Sequence, residues 1–507
     1  MRKCVNWLFL AGAGLLLVVV ILIFHYVILP YIIHKQVAGT LALNNGTDAY
    51  DRFVKLPVPL YFSVYFFNLV NPEGVFEGQK PIVQEVGPWV YKETREKFNV
   101  EFDDEKDTAK YQQRTNFEFD PERSHPRTEN DLVHPGNIIP QVIMRIGERI
   151  SGLDFLTELV EFGLPEVMGK DYSLILNRTV GDILFNGIDM HCSANASLGA
   201  QAVCSMVRHF PGINSLKQKP NGDLSAGILS FRNGSSSDVF EIYRGNKDFS
   251  KIGIITSLNG KTSVTNWFGE ECNQVAGSYD ESILQPFLSE GSSFKVYGSD
   301  ICTTTPLASV GETTALDVDC LRFAPGDNFL GSVTDHPENY CYCPGSIHDV
   351  TSPQACMKKG VLEFSTCQGV PIVLSFPHFY RADTLYQNAV GGLNPNAESH
   401  ETYIDIEPTT GVPVKAAKRI QVNVQFKGSP ALKITGKARD VLLPFMWIDE
   451  SVQLEGEQLA LIKDQLIKML RIANIIKWVV IAAGLLMLLV GGLMAYVSVR
   501  AEHRHPD

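Results

Sequence analysis

The motifs by which common enzymes announce themselves are missing from this sequence. It has no Gly-x-Ser-x-Gly nucleophile elbow and no Walker loop to cradle phosphates. Gly12-Ala-Gly14 lies in an apolar run and lacks the third glycine of a dinucleotide turn. His400-Glu401 has no second histidine one turn later, so the two-histidine face of a zinc protease is absent. Acid pairs occur, but among 56 Asp and Glu they single out no general acid or base. No catalytic residue, metal ligand set or cofactor is expected. Positive charge is also short: 44 Lys and Arg leave a net charge of −12. That balance argues against nucleic acid as a partner and against a general polyanion trap. There is no internal repeat and no low-complexity segment. Between residues 30 and 477 no uncharged run is long enough to cross a bilayer.

What the sequence does have is an apolar run near each end. Trp478–Val499 is 22 residues without a charge, bounded by Lys477 and Arg500. As a helix it would be about 33 Å long, enough for a hydrocarbon core of about 30 Å. Trp7–Phe24 is 18 uncharged residues, extendable to Leu29, behind Arg2 and Lys3. A cleaved signal peptide is the competing reading. Its apolar stretch is usually about 7–15 residues, and no small-x-small site follows Phe24, so a retained span is favoured. The expected order is a cytoplasmic tail 1–6, a transmembrane helix 7–29, an ectodomain 30–477, a second transmembrane helix 478–499 and a cytoplasmic tail 500–507.

Three features put the long middle segment outside the cytosol. Asn45, Asn177, Asn195 and Asn233 each head an N-glycosylation sequon. Nine of the ten cysteines lie in this segment, seven of them between Cys272 and Cys367, which suits an oxidising compartment. Arg2 and Lys3 obey the positive-inside rule, although the charges around the second span do not help. Cys4, beside the inner face, is a candidate for palmitoylation or an unmodified thiol.

Periodicity divides the segment. Leu56–Val70, Ile82–Glu93 and Lys110–Phe119 read as strands, with Gly87-Pro88 as a break and Glu101–Asp107 as a solvated acidic turn. From Asn137 to Leu184 apolar residues recur at helical spacing, cut by glycine and proline, which sets a helical apex at 137–190. Cys192 and Cys204 could close a local disulfide worth about 3 kcal/mol. Lys418–Phe426 alternates Ile420, Val422, Val424 and Phe426 with polar residues, the pattern of a half-exposed strand. Residues 453–477 read as a juxtamembrane amphipathic helix, either packed on the ectodomain or lying among headgroups.

Several separated stretches resemble the class B scavenger receptor family, which includes platelet glycoprotein four (fatty-acid translocase), lysosomal integral membrane proteins and insect sensory neuron membrane proteins. They are Pro57-Val-Pro-Leu-Tyr-Phe-Ser-Val-Tyr-Phe-Phe-Asn, Glu85-Val-Gly-Pro-Trp-Val-Tyr, Arg114-Thr-Asn-Phe-Glu-Phe, Tyr340-Cys-Tyr-Cys, Ser375-Phe-Pro-His-Phe, Gly392-Leu-Asn-Pro-Asn through Lys418-Arg-Ile-Gln-Val-Asn, and Pro444-Phe-Met-Trp. They run in family order along the whole ectodomain.

The resemblance implies an α+β ectodomain with an irregular antiparallel β-barrel core, a membrane-distal helical bundle and a hydrophobic tunnel. It implies disulfides Cys272–Cys341, Cys302–Cys367 and Cys343–Cys356. Cys192 and Cys204 resemble a pair in the sensory neuron branch. Cys320 is left as a buried thiol or an intermolecular link. A hydrophobic ligand is implied: fatty acid, sterol, carotenoid, pheromone-like lipid or lipoprotein cargo, passed to the membrane or a partner receptor. Lys170, Phe155 and Phe162 are the entrance candidates. Because Leu153–Met168 is acidic and has no base, a neutral ligand suits that face better than an anionic particle. Membrane lipid, a co-receptor and a second copy of the chain are the other candidate partners. The plasma membrane is the expected location, with endolysosomal membrane as the alternative. Two readings compete: an adhesion receptor for particles or apoptotic cells, and a two-span ligand-gated cation channel. The second is weakened by terminal runs nearly free of polar residues.

Overall fold

The computed structural model describes residues 2–151, 154–193, 195–210, 213–343, 356–429 and 432–504. They form two units, one of the two terminal segments (Met1–Ala42 and Leu454–Asp507) and one of Leu43–Gln453.

In the first unit each terminal run is one continuous helical rod. The N-terminal rod joins Arg2–Ile23, a wide π turn Phe24–Ile28, and Leu29–Leu41. Pro30 has no N–H to give and crowds the carbonyl four residues back, and the wide turn directly before it relieves that clash. The C-terminal rod joins Gly456–Ala460, Leu461–Ile467 and Lys468–Arg504. Both are long and apolar enough to cross a membrane. Small residues let them touch: a Cβ on Gly14 would lie 2.6 Å from Gly484 O, and one on Gly491 3.0 Å from Ala11 Cβ.

The second unit is built on a 13-stranded antiparallel sheet. Its main path runs Ile255–Leu258, Phe240–Tyr243, Thr108–Phe119, Val83–Asp103, Leu60–Leu69, Val441–Gln453, Val412–Phe426, Tyr403–Glu407, Val318–Pro325, Thr303–Ala315 and Ser293–Gly298. Ile372–Ser375 branches from Val412–Phe426 and carries Val361–Glu363 at its side. The strands do not close into the barrel implied by resemblance. The two end strands instead both bond to the irregular stretch around Tyr279. Ile255 N donates to Ser278 O (2.8 Å) and Tyr279 N to Lys295 O (2.8 Å). Gly277, at φ +90°, turns the chain there before a strand can form.

Two strand expectations need correction. Gly87-Pro88 is no break: the strand Val83–Asp103 runs through it, with a register shift opposite Val64 and Phe66. A Cβ at Gly87 would meet Tyr65 Cδ1 at 2.7 Å, so glycine lets the neighbouring strand pass. Nor is Lys418–Phe426 half exposed. Gln421 and Asn423 are fully buried. Gln421 Nε2 donates to Asn423 Oδ1 (2.7 Å), and Asn423 Nδ2 donates to Val373 O and Ser375 Oγ (both 3.0 Å). The adjoining strand Ile372–Ser375 of the same sheet, with His378 N donating to Gln421 Oε1 (2.7 Å), satisfies these buried amides.

Helices gather beside the sheet. Ile138–Ser151, Asp154–Met168 and Leu198–His209 share a core of Ile143, Leu164, Val167, Val203 and Val207. A Cβ on Gly163 would stand 2.2 Å from Gly199 O, so two of these helices cross backbone to backbone. Arg178–Phe185 is not a simple helix: Arg178–Thr179 pairs with Leu132–Val133, and a π turn follows at Asp182–Asn186.

Candidate functional site

An apolar cavity of about 220 Å³ lies between these helices and the sheet. The helix Ile138–Ser151 supplies Ile138, Ile139, Val142, Ile143 and Ile146, whose spacing places them on one face. Ile188, Leu216 and Ala226 come from the small sheet Ile188–Met190, Leu224–Ala226 and Leu216–Gln218.

The remaining wall has a polarity gradient written in its register. Strands Val412–Phe426 and Val441–Gln453 pair Val422 with Met446, Ile420 with Ile448 and Lys418 with Glu450. Alternation puts all six on one face, and all six line the cavity. Two apolar pairs are thus followed by one charged pair.

At that charged end a cluster closes. Lys418 Nζ reaches Glu281 Oε1 (2.8 Å), Asp300 Oδ2 (3.5 Å) and Glu450 Oε2 (3.8 Å). Arg95 pairs with Glu93 (2.7 Å), Glu281 (2.8 Å) and Glu450. Arg232 Nη2 lies 3.2 Å from Asp300 and 3.8 Å from Glu93. Burial alone would raise the pKa of Glu281, but Lys418 and Arg95 beside it hold it down at about 2. Burial likewise opposes ionisation of Asp300, and Arg232 and Lys418 prevail. Glu93 goes the other way: its burial outweighs Arg95, and its pKa is raised. Three bases facing four acids leave this end with no spare positive charge. A second, polar cavity of about 500 Å³ shares Phe231, Arg232, Asp300 and Gln368 with the first.

A separate knot joins Glu85, which is exposed, to the buried His378 and His400, with ligand-type atoms within 4.8 Å of one another. Its hydrogen bonds do not suit a metal. Asn394 N donates to His378 Nδ1 and Asn396 N to His400 Nδ1, both at 3.0 Å. Each neutral ring must therefore carry its proton on Nε2. A metal-bound histidine instead binds through one nitrogen and donates from the other. His378 Nε2 and Trp447 Nε1 both donate to Glu85 Oε2 at 2.6 Å, which holds the Glu85 pKa down against its partial desolvation. Tyr65 stacks on Trp447 at 4.0 Å. The knot ties together five of the stretches quoted for the family resemblance.

The residues singled out in the sequence fall in several places. Phe162 and Lys170 are exposed on the helical side, and neither lines the apolar cavity. The side chains of Phe155 and Cys4 lie outside the described residues. Asn45, Asn177, Asn195 and Asn233 are all exposed. Cys192 is bonded to Cys204, Cys272 to Cys341, Cys302 to Cys367 and Cys343 to Cys356. Cys320 is a buried free thiol, whose pKa burial pushes up to about 12. Sequence reasoning missed both the charged cluster and the histidine knot. The local trace of the cluster is Glu93 and Arg95 at alternate positions of one strand, whereas the knot brings Glu85 to His378 across 293 residues.

Among relatives, the chain is 30% identical to sensory neuron membrane protein 2 of Anopheles gambiae, over 94% of this chain and 91% of that protein. It is 31% identical to scavenger receptor class B member 1 of Bos taurus, over 94% of this chain and 86% of the relative. It is 30% identical to sensory neuron membrane protein 2 of Manduca sexta, over 95% and 92%. The sequence model of the CD36 family matches residues 12–495, nearly the whole chain. With the helical ends, the large antiparallel sheet and the four disulfides already described, this chain belongs to the CD36 family.

Proposed function

We propose that this chain is a two-span membrane receptor that takes a hydrophobic ligand into its apolar cavity and passes it to the membrane or to a partner receptor. The carrying observation is the cavity: isoleucines on one helix face opposite in-register apolar strand pairs, in a molecule with two apolar terminal rods. Holding an alkyl chain there keeps it from water at about 0.8 kcal/mol per CH₂. The charged end has no cation to spare, which favours a neutral head such as an alcohol, ester or sterol over a carboxylate. Exposed sequon asparagines and four disulfides support an extracellular or lumenal place for Leu43–Gln453, with both termini cytoplasmic at the plasma membrane. Phe162 and Lys170, exposed beside the helices that wall the cavity, are the proposed entrance.

Cells expressing the chain should accumulate a fluorescent sterol or fatty ester faster than untransfected cells. Ala226→Trp, which fills the cavity from its small sheet, should abolish the difference at equal surface expression. Equal uptake by the variant would remove the cavity from the route.

A further inference from the structure

The strand Val83–Asp103 turns charge inward. Glu93, Arg95 and Lys97 are buried while Thr94 and Glu96 between them are exposed. The ionic cluster holds the first two. Lys97, only 4% exposed, has instead two ring faces for partners: Phe53, with its centroid 4.5 Å from Nζ, and Tyr111, at 5.3 Å. The nearby acids are already committed. Asp280 accepts from Tyr111 Oη (2.6 Å), from Ser282 Oγ, and from Ser282 N and Ile283 N (3.2 Å each). Glu281 is held by Arg95 and Lys418, each at 2.8 Å. Among the described residues no ion pair or hydrogen bond to Lys97 Nζ is formed.

Lys97 lines the polar cavity, whose rim carries exposed Ser235, Ser236 and Asp238 and so is open to solvent. Burial draws its pKa down to about 8, against the upward pull of Asp280. Roughly a tenth of the amine is then unprotonated at pH 7. An amine that is buried, reachable and outside any ion pair is a nucleophile toward carbonyl carbon. Charge narrows the class of ligand. Asp238, Asp280, Glu281 and Asp300 face this cavity against Arg95, Lys97 and Arg232, so an anion is disfavoured and a neutral carbonyl is not.

We propose that Lys97 is a covalent capture site for neutral aldehydes on a hydrophobic chain, the chain lying toward the apolar cavity that shares Phe231, Arg232, Asp300 and Gln368 with the polar one. The Nζ lone pair adds to the carbonyl carbon. The nitrogen gives up its two hydrogens as protons, the carbonyl oxygen takes up two and leaves as water with the C–O bond electrons, and R–CH=N–Lys97 remains, reversible by hydrolysis. This rests on the lipid-binding reading given above.

The test uses the full chain in detergent micelles with hexadecanal and sodium cyanoborohydride, which fixes the imine as a secondary amine, followed by peptide mass spectrometry. Lys97 should be modified about tenfold faster than exposed Lys170, and faster still from pH 6 to pH 8. Lys97→Arg should lose that adduct, keep the slow ones, and still retain hexadecanol in native mass spectrometry. Modification of Lys97 no faster than Lys170 overturns the proposal, a comparison that needs only the wild-type protein. If hexadecanol is retained while Lys97 stays unmodified, the covalent site fails and the lipid reading stands. If neither compound is retained, both fail.

Discussion

Replacing Arg95 by alanine removes the centre of the buried ionic cluster. The Arg95 side chain is 7% exposed, and it faces Glu93 at 0% and Glu450 at 8%. Taking one partner from a buried pair costs about 3–5 kcal/mol, because the remaining charge is left unpaired in a poor solvent. The losses here do not add up pair by pair. Lys418 still reaches Glu281 and Glu450, and Arg232 stays 3.8 Å from Glu93. About 4 kcal/mol is therefore expected for Arg95→Ala. The deficit should shrink as pH falls from 7 to 5. Burial already raises the Glu93 pKa, and without the Arg95 guanidinium, which pulls it down, Glu93 titrates higher still in the folded state than unfolded, so the folded state binds more protons and gains stability on acidification. Adding Glu450→Gln should recover part of the loss at neutral pH. Urea unfolding of the full chain in detergent, with disulfides intact, can be followed through buried Trp89, Trp267 and Trp447. A loss below about 1 kcal/mol, or one that ignores pH, would refute the reasoning.

Three further outcomes are expected. Burial, with His378 alongside, holds the His400 pKa near 4, whereas an unfolded histidine titrates near 6.5, so the folded state binds fewer protons in that window and stability should drop as pH falls from 6.5 to 4. His400→Asn, which keeps an acceptor for Asn396 N–H, should flatten that part of the urea midpoint–pH curve; an unchanged slope would count against it. The Cys320 thiol should resist iodoacetamide at pH 8 in the native protein and react once urea unfolds it; rapid native labelling would contradict its burial. Gly14→Leu should abolish crosslinking between cysteines placed at Ala11 and Gly491, while Gly12→Leu, with open space around it, should not; equal yields would show that the terminal helices do not need the Gly14–Gly484 approach.

Local pattern carried much of the fold and little of the site. The uncharged ends became helices because length and apolarity are local properties. Aromatic and β-branched richness located the strand Leu60–Leu69, and alternation over Lys418–Phe426 located the second half of Val412–Phe426. Alternation cannot say which face meets water. Gln421 and Asn423 turned inward because Ser375 and Val373, nearly 50 residues earlier, receive them. The partners of Arg95 stand further off, with Glu450 355 residues away, and His378 meets Glu85 across 293. Nothing in the neighbourhood of Glu93, Arg95 and Lys97 shows that these charges are paired rather than solvated. The isoleucines of the helix Ile138–Ser151 look the same whether they fill a core or line a cavity. The cysteine pairing came from resemblance to a family, since spacing alone left many connectivities open.

The measurement that bears most directly on the apolar cavity as a ligand site is native mass spectrometry of the full chain in detergent, titrated with a neutral probe such as hexadecanol, beside Ala226→Trp. Saturable retention of the probe by the wild-type chain, lost in the variant with the fold intact by urea midpoint, is the predicted result. Equal retention by both, or none by either, would contradict it.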